Sequence, residues 1–108
     1  MITIDQFKEI DIRVGTVICA EEIDGADRLL KLLVDIGEEE PRQIVSGIKE
    51  YFEFKEEIVS KQIFIVANLE SRTFRGVESR GMILAIKDGE GLSLLTVDKP
   101  TSNGLRVS

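Results

Sequence analysis

The stretch from Arg42 to Leu69 reads RQIVSGIKEYFEFKEEIVSKQIFIVANL and contains two changes of pattern that decide the fold. The run Arg42 to Ile48 is typical of a strand. The run Gln62 to Leu69 has no Gly or Pro and is typical of a strand buried on both faces or nearly so. Between them, Lys49 to Val59 breaks the strand pattern and predicts a helical turn or two. The centre of the chain is therefore strand, short helix, strand.

Two further strands are predicted on the N-terminal side of this segment. Asp11 to Ile23 (DIRVGTVICAEEI) is rich in β-branched residues, and Gly15 indicates a bulge or bend within it. Leu29 to Ile36 (LLKLLVDI) is the next strand, and residues Gly37 to Pro41 form a hairpin turn into the central segment.

The two ends add a short helix and two more strands. Thr3 and Gln6 have the spacing of a capping box, which predicts a helix start. Met82 to Ile86 is the fifth strand, and Leu92 to Val97 is an extra one. Five short strands with a helix between the third and fourth are typical of an OB-fold. We therefore predict an all-β chain with a short helix, a five-stranded OB-fold barrel with N- and C-terminal extensions. A sandwich or another small barrel also fits the periodicity alone.

Composition narrows the class of protein. The 108 residues are 43% hydrophobic and 31% charged, as expected for one soluble globular domain covering residues 1–108. No apolar run approaches the roughly 20 residues that cross a bilayer, and the N-terminus has no signal-peptide pattern. These features predict a cytoplasmic location and no membrane partner.

The residue types that most often carry catalysis are missing. The chain has no histidine, and Cys19 is its only cysteine. This excludes histidine-dependent nucleophilic catalysis and the usual zinc sites. The carboxylates occur as solvated runs such as Glu38 to Glu40. We therefore predict a protein that is not an enzyme and that uses no cofactor or metal.

A basic cluster stands out on this acidic chain. The net charge is −6, yet three of the seven arginines, Arg72, Arg75 and Arg80, fall within nine residues of the segment SRTFRGVESRGMILAI. Gly76 and Gly81 interrupt this segment, which predicts a basic loop in front of the fifth strand. The planar guanidinium group matches a phosphate or stacks on a base. A local basic patch suffices for nucleic-acid binding whatever the net charge.

Several motifs together resemble a known family. They are DIRVGTV (Asp11 to Val17), ADRLLKLLVDIG (Ala26 to Gly37), RQIVSGIKEY (Arg42 to Tyr51), IVANLESRTFRGVESRGMILA (Ile65 to Ala85) and the tail Asn103 to Val107. The chain resembles the stand-alone tRNA-binding proteins, a family that includes the C-terminal domain or β subunit of methionyl-tRNA synthetases and a secretion-chaperone branch.

The resemblance implies structure-selective tRNA binding by a non-catalytic OB-fold module that assists a methionyl-tRNA synthetase in cis or trans. It also implies a homodimer, with residues 1–10 and 98–108 as dimerisation extensions. The alternative is a secretion-chaperone-like module that binds unfolded polypeptide. At Glu70 and Ser71 this chain departs from relatives, which often carry Lys-Pro there.

Eight residues are the predicted RNA-binding set: Lys31, Arg42, Asn68, Arg72, Arg75, Ser79, Arg80 and Met82. Ser79 and Met82 enter through the family motif G-x-x-S-x-G-M. A core position is the alternative for Met82, and holding a turn is the alternative for Asn68. Phe74 is a candidate for base stacking. Arg13 matches the family in the motif DIRVG, and an ion pair with Asp11 or Asp35 is an equal alternative role for it.

Overall fold

One long strand organises the fold. The computed structural model describes residues 1–108, and its elements are α1 (Ile4–Phe7), β1 (Ile12–Ile23), β2 (Ala26–Asp35), β3 (Arg42–Ser46), β4 (Gln62–Val66), β5 (Arg72–Phe74), β6 (Val77–Ser79), β7 (Met82–Ile83), β8 (Ala85–Asp88) and β9 (Gly91–Leu94). Two 3₁₀ turns, Lys49–Tyr51 and Lys55–Ile58, occupy the predicted helical segment between β3 and β4. The capping box of Thr3 and Gln6 is confirmed at the start of α1.

The main sheet has five antiparallel strands in the order β3-β2-β1-β4-β7. The N-terminal half of β1 pairs with β4, and its C-terminal half pairs with β2. The register of β1 against β2 shifts between Val17 and Cys19 and again between Glu22 and Ile23, whereas Gly15 pairs regularly with Ile63. A Cβ added at Gly15 would lie 2.7 Å from Ile36 Cγ2. Glycine is therefore required there, because Val34, Asp35 and Ile36 leave no space for a side chain at this position.

The core lies inside this coiled sheet. On β2, Leu30, Leu32 and Val34 are fully buried, as period-two alternation requires. Ile58, from the second 3₁₀ turn, is also fully buried. Tyr51 packs against the same cluster while remaining partly exposed. The turns therefore cover one end of the sheet, as a helix does in an OB-fold.

The OB-type architecture is confirmed, with one difference from the predicted barrel. Strands β3 and β7 are the two edges of the sheet, and no β ladder joins them. Individual hydrogen bonds join β3 to residues Glu78 to Arg80 instead. The Arg80 amide donates to the Gln43 carbonyl (2.9 Å), and the Val45 amide donates to Ser79 Oγ (2.9 Å). We call this set of contacts the seam.

The C-terminal tail runs along the free edge of β1. The Val14 amide donates to the Leu105 carbonyl, and the Gly104 and Val107 amides donate to the carbonyls of Val14 and Ile12. A side chain at Gly104, whose φ is +92°, would collide with the Ile36 carbonyl oxygen. The tail thus forms hydrogen bonds with the backbone N–H and C=O groups of β1 at Ile12 and Val14, a part of β1 that does not pair with β2.

Candidate nucleic-acid interface

The predicted basic loop is a β-hairpin. Arg72 pairs with Ser79 and Phe74 pairs with Val77, and the two-residue turn between β5 and β6 is Arg75-Gly76. Both turn residues have positive φ, +52° and +80°. Two positive φ values define the turn that matches the twist of a tight hairpin. Arg75 therefore stands at the tip of a short, ordered projection.

The arginines of this segment are free of internal carboxylate partners. Arg72, Arg75 and Arg80 are exposed, and none has a carboxylate oxygen within 4.0 Å. The other four arginines each do: the pairs are Arg13–Asp11, Arg28–Glu50, Arg42–Glu38 and Arg106–Asp11. The uncompensated guanidinium charge of the protein is thus concentrated on and beside the hairpin.

A groove opens beside the hairpin. Leu69, Arg72, Phe74 and Met82 are among the residues that line it, and exposed Glu70 stands at the same place. The Cζ atom of Arg72 lies 4.9 Å from the centre of the Phe74 ring, a cation–π arrangement. Met82 is 49% exposed. Of the two interpretations left open for Met82, the core position is therefore excluded.

Arg42 is placed in the seam. Its side chain is only 11% exposed and forms a two-point ion pair with Glu38 (Nη2–Oε2 2.6 Å, Nε–Oε1 3.1 Å). Its Nη1 also donates to the carbonyls of Ala67 and Arg80. The hydrogen bond from Arg42 holds the pKa of the Glu38 carboxyl below its ordinary value. The guanidinium of Arg42 is thus engaged inside the protein, next to the backbone that carries Arg80.

Ser79 and Asn68 also make internal hydrogen bonds. Ser79 is 4% exposed, and its hydroxyl accepts from the Val45 amide and donates to the Gly81 carbonyl. The Asn68 amide group accepts from the Asp11 backbone N–H (2.9 Å) and donates to the Glu9 carbonyl (2.7 Å). Asn68 therefore joins the end of β4 to the N-terminal segment. That these two residues contact RNA stays a prediction.

The sequence comparison identifies the domain. Residues 12–106 match the family model described as "Putative tRNA binding domain". The chain belongs to this tRNA-binding family. A methionine–tRNA ligase of Methanocella arvoryzae is 52% identical over 106 residues, 98% of this chain and 15% of the ligase. One from Thermotoga maritima is 47% identical over 99% of this chain and 17% of the ligase. The chain thus spans about a sixth of these relatives.

Solved structures agree with this assignment of the tRNA-binding domain. A MetRS-related protein from Pyrococcus horikoshii has a TM-score of 0.90 at 36% identity, covering 100% of this chain and 98% of that one. The chaperone CsaA of Bacillus anthracis has a TM-score of 0.86 at 27% identity, covering 100% and 99%. The predicted resemblance is confirmed, including its chaperone branch. No helix of the domain is long and apolar enough to cross a membrane.

Lys31 lies away from the groove in this tRNA-binding domain. It shares a shallow depression with Arg75, at the side of the hairpin that faces the β1–β2 turn. Its Nζ is 3.0 Å from Glu21 Oε2, and this hydrogen bond lowers the pKa of the Glu21 carboxyl. The structure thus brings Arg72 and Met82 together and places Lys31 with Arg75 on the adjoining surface.

Sequence reasoning missed two features of the site. The first is the tight turn at Arg75-Gly76, where the sequence predicts only a loop. Gly76 is its one signal, because glycine readily supplies positive φ. The seam had no signal, because Ser79 and Val45 are 34 residues apart and their contact depends on the closure of the sheet. The ion pair of Arg13 with Asp11 (2.9 Å), one of its alternatives, is present.

Proposed function

We propose that this tRNA-binding domain recognises the shape of folded tRNA in the cytoplasm and lends that affinity to a methionyl-tRNA synthetase, in cis or in trans. The chain itself catalyses no step. One observation carries the proposal: Arg72, Arg75 and Arg80 are exposed without carboxylate partners, while every other arginine is in an ion pair. Exposed, unpaired guanidinium groups are available to phosphates without first breaking an internal contact.

The matching methionine–tRNA ligases support the biological context. Two of them contain a segment about half identical to nearly the whole of this chain, at 52% and 47%. A module of this kind contributes binding energy to a catalytic core that lies elsewhere in the enzyme. The tRNA would be held through its backbone and outer shape, because a short basic hairpin is suited to phosphates more than to reading base pairs.

The test is a salt titration of tRNA affinity by fluorescence anisotropy. The logarithm of the affinity should fall linearly with the logarithm of salt concentration, with a slope of about −0.7 to −0.9 per neutralised phosphate. The double variant Arg72→Gln/Arg75→Asn should weaken binding and reduce the slope by about 1.4 to 1.8. Gln keeps a planar group over Phe74, and Asn tolerates the positive φ at the hairpin tip.

The matched control is Lys61→Gln/Lys87→Gln. It removes two exposed positive charges that lie outside the hairpin and outside residues 98–108, and neither lysine has a carboxylate partner. Its tRNA affinity should stay close to that of the wild type. Equal losses in the two double variants would show that binding follows net charge and not the hairpin. Wild-type protein without salt-sensitive tRNA binding would overturn the proposal.

We further propose that the chain is a homodimer joined through residues 1–10 and 98–108. An open, mainly apolar groove lies between the two ends, lined by Ile4, Phe7, Ile10 and Val107 among others. Ile2 and Leu105, from the same two ends of the chain, are exposed as well. Apolar surface gathered from both ends of the chain is what a second copy would bury.

The similarity to CsaA chaperones favours a second candidate function, the capture of unfolded polypeptide. The same apolar groove between the chain ends would then receive peptide segments. Capture of a permanently unfolded, reduced and alkylated protein distinguishes the two candidates. Affinity for it that is insensitive to salt, together with no affinity for tRNA, would favour the chaperone function.

A further inference from the structure

The groove beside the hairpin has a chemistry that phosphate binding does not require. Its lining combines the apolar side chains of Leu69, Phe74 and Met82 with small residues, Ser46 and Gly47. Leu69 and Met82 are each 49% exposed, although large apolar side chains of this kind are usually buried. A surface that met only the RNA backbone would need charge and hydrogen-bond donors, and this apolar floor would add nothing to it.

The exposure of Met82 is imposed by the strand. Met82 pairs with Val66 on β4, and the next residue, Ile83, is buried in the core. Successive side chains of a strand point to opposite faces, so Met82 must point outward. Its thioether is polarisable and favours contact with aromatic rings.

Arg72 and Phe74 supply a planar, positively charged wall. They are two residues apart on β5 and therefore share a face, and the guanidinium carbon lies 4.9 Å from the ring centre. Stacked aromatic and guanidinium planes are the groups on which unpaired bases stack in RNA-binding proteins. The exposed carboxylate of Glu70 is the one negative group in the lining.

We infer that this groove is a binding subsite for an unstacked nucleobase from a loop of the tRNA, held between Met82 and the Arg72–Phe74 pair. The inference rests on the proposed tRNA binding and makes it more specific. The bases of an A-form duplex are stacked and cannot enter such a groove, whereas loop bases can be splayed out. The adjacent arginines hold the phosphates on either side of that base.

The experiment compares Phe74→Ala and Met82→Ala with the wild type on two ligands, folded tRNA and an RNA duplex with the same number of phosphates. Loss of one stacking contact should weaken tRNA binding by about 5- to 150-fold. Duplex binding and the salt slope should not change, because no phosphate contact is removed. Phe54→Ala and Ile86→Ala are the controls, since both remove exposed apolar side chains outside the groove.

A second ligand pair keeps the inference independent of folding defects. Wild-type protein is titrated with an RNA hairpin that has a normal loop and with the same hairpin carrying abasic loop nucleotides. Weaker binding of the abasic hairpin supports the base subsite, and equal binding overturns it. If the wild type binds tRNA with the expected salt slope but both Ala variants match it, the subsite alone is wrong. Absence of any salt-sensitive tRNA binding would instead remove the proposed function.

Discussion

Ser79 and Met82 belong to one motif, yet the structure gives them different environments. Ser79 is buried, with its hydroxyl hydrogen-bonded across the seam, and Met82, three residues later, is exposed on the groove. Gly81, between them, approaches β4 so closely that an added Cβ would lie 3.0 Å from the Val66 carbonyl. Within one motif, Ser79 therefore holds the backbone beside the groove in place, whereas the side chain of Met82 is part of the groove surface.

Replacing Ser79 by Ala should destabilise the domain. The Val45 amide would lose its acceptor in a buried position, which costs about 1–3 kcal/mol of unfolding free energy. Equilibrium unfolding in urea measures this, with Ser71→Ala as the control because Ser71 is exposed. A Ser79→Ala protein of unchanged stability that loses tRNA affinity would show instead that the hydroxyl contacts RNA.

At the scale of elements, the strands of the main sheet were predictable and the hairpin was not. Strands β1 to β4 carry β-branched or alternating apolar runs of five or more residues, and their positions were predicted. Strands β5 and β6 have three residues each, too few to show a period of two. Gly76, which lies between them, is as typical of a loop as of a tight turn. The segment that carries the candidate site was thus recognisable in the sequence, whereas its hairpin shape is known only from the fold.

One carboxylate adds side-chain support to the attachment of the C-terminal tail to β1. Asp11 accepts two hydrogen bonds from Arg13 (2.9 and 3.1 Å), and Arg13 in turn donates to the Gly104 carbonyl. The Arg106 guanidinium also approaches Asp11 Oδ1, at 3.7 Å. The hydrogen bond from Arg13 is the main cause that holds the pKa of Asp11 below its ordinary value.

This arrangement predicts an acid-dependent loss of stability. A carboxyl group whose pKa is lower in the folded state than in the unfolded state stabilises the protein at pH values above the unfolded pKa, which is about 3.9 for Asp. That contribution is lost as the pH falls through the lowered folded pKa. Asp11→Asn should lower the unfolding free energy at pH 7 by about 1 kcal/mol. Below about pH 4, the unfolding free energy of the variant should fall less steeply with decreasing pH than that of the wild type. Urea unfolding between pH 3 and pH 7 checks this, and an unchanged acid limb would contradict it.

At the scale of the whole molecule, net charge is a poor guide to the binding surface. The chain carries a net charge of −6, but its carboxylates neutralise the arginines outside residues 72–80. The arginine cluster was visible in the sequence because it is local. Which arginines are free was not visible, because the pairs Arg28–Glu50 and Arg106–Asp11 join residues 22 and 95 positions apart.

A dimer would place two such arginine clusters on one particle, so the oligomeric state is the last prediction. Light scattering after size-exclusion chromatography should give about 24 kDa, twice the 12.1 kDa of the chain. Ile4→Asp/Ile10→Asp places two charges in the groove between the chain ends and should give monomers at micromolar concentration. Ile4 is 64% exposed, so its replacement removes little packing within one chain.

The control for the dimer is Ile86→Asp, at a residue that is 59% exposed and lies outside that groove. It should remain dimeric. The monomeric variant should also show a smaller salt slope for tRNA than the wild type, because one arginine cluster contacts fewer phosphates than two. A wild-type mass of 12.1 kDa at micromolar concentration would refute the dimer. An unchanged slope in a proven monomer would show that a single cluster makes all the phosphate contacts.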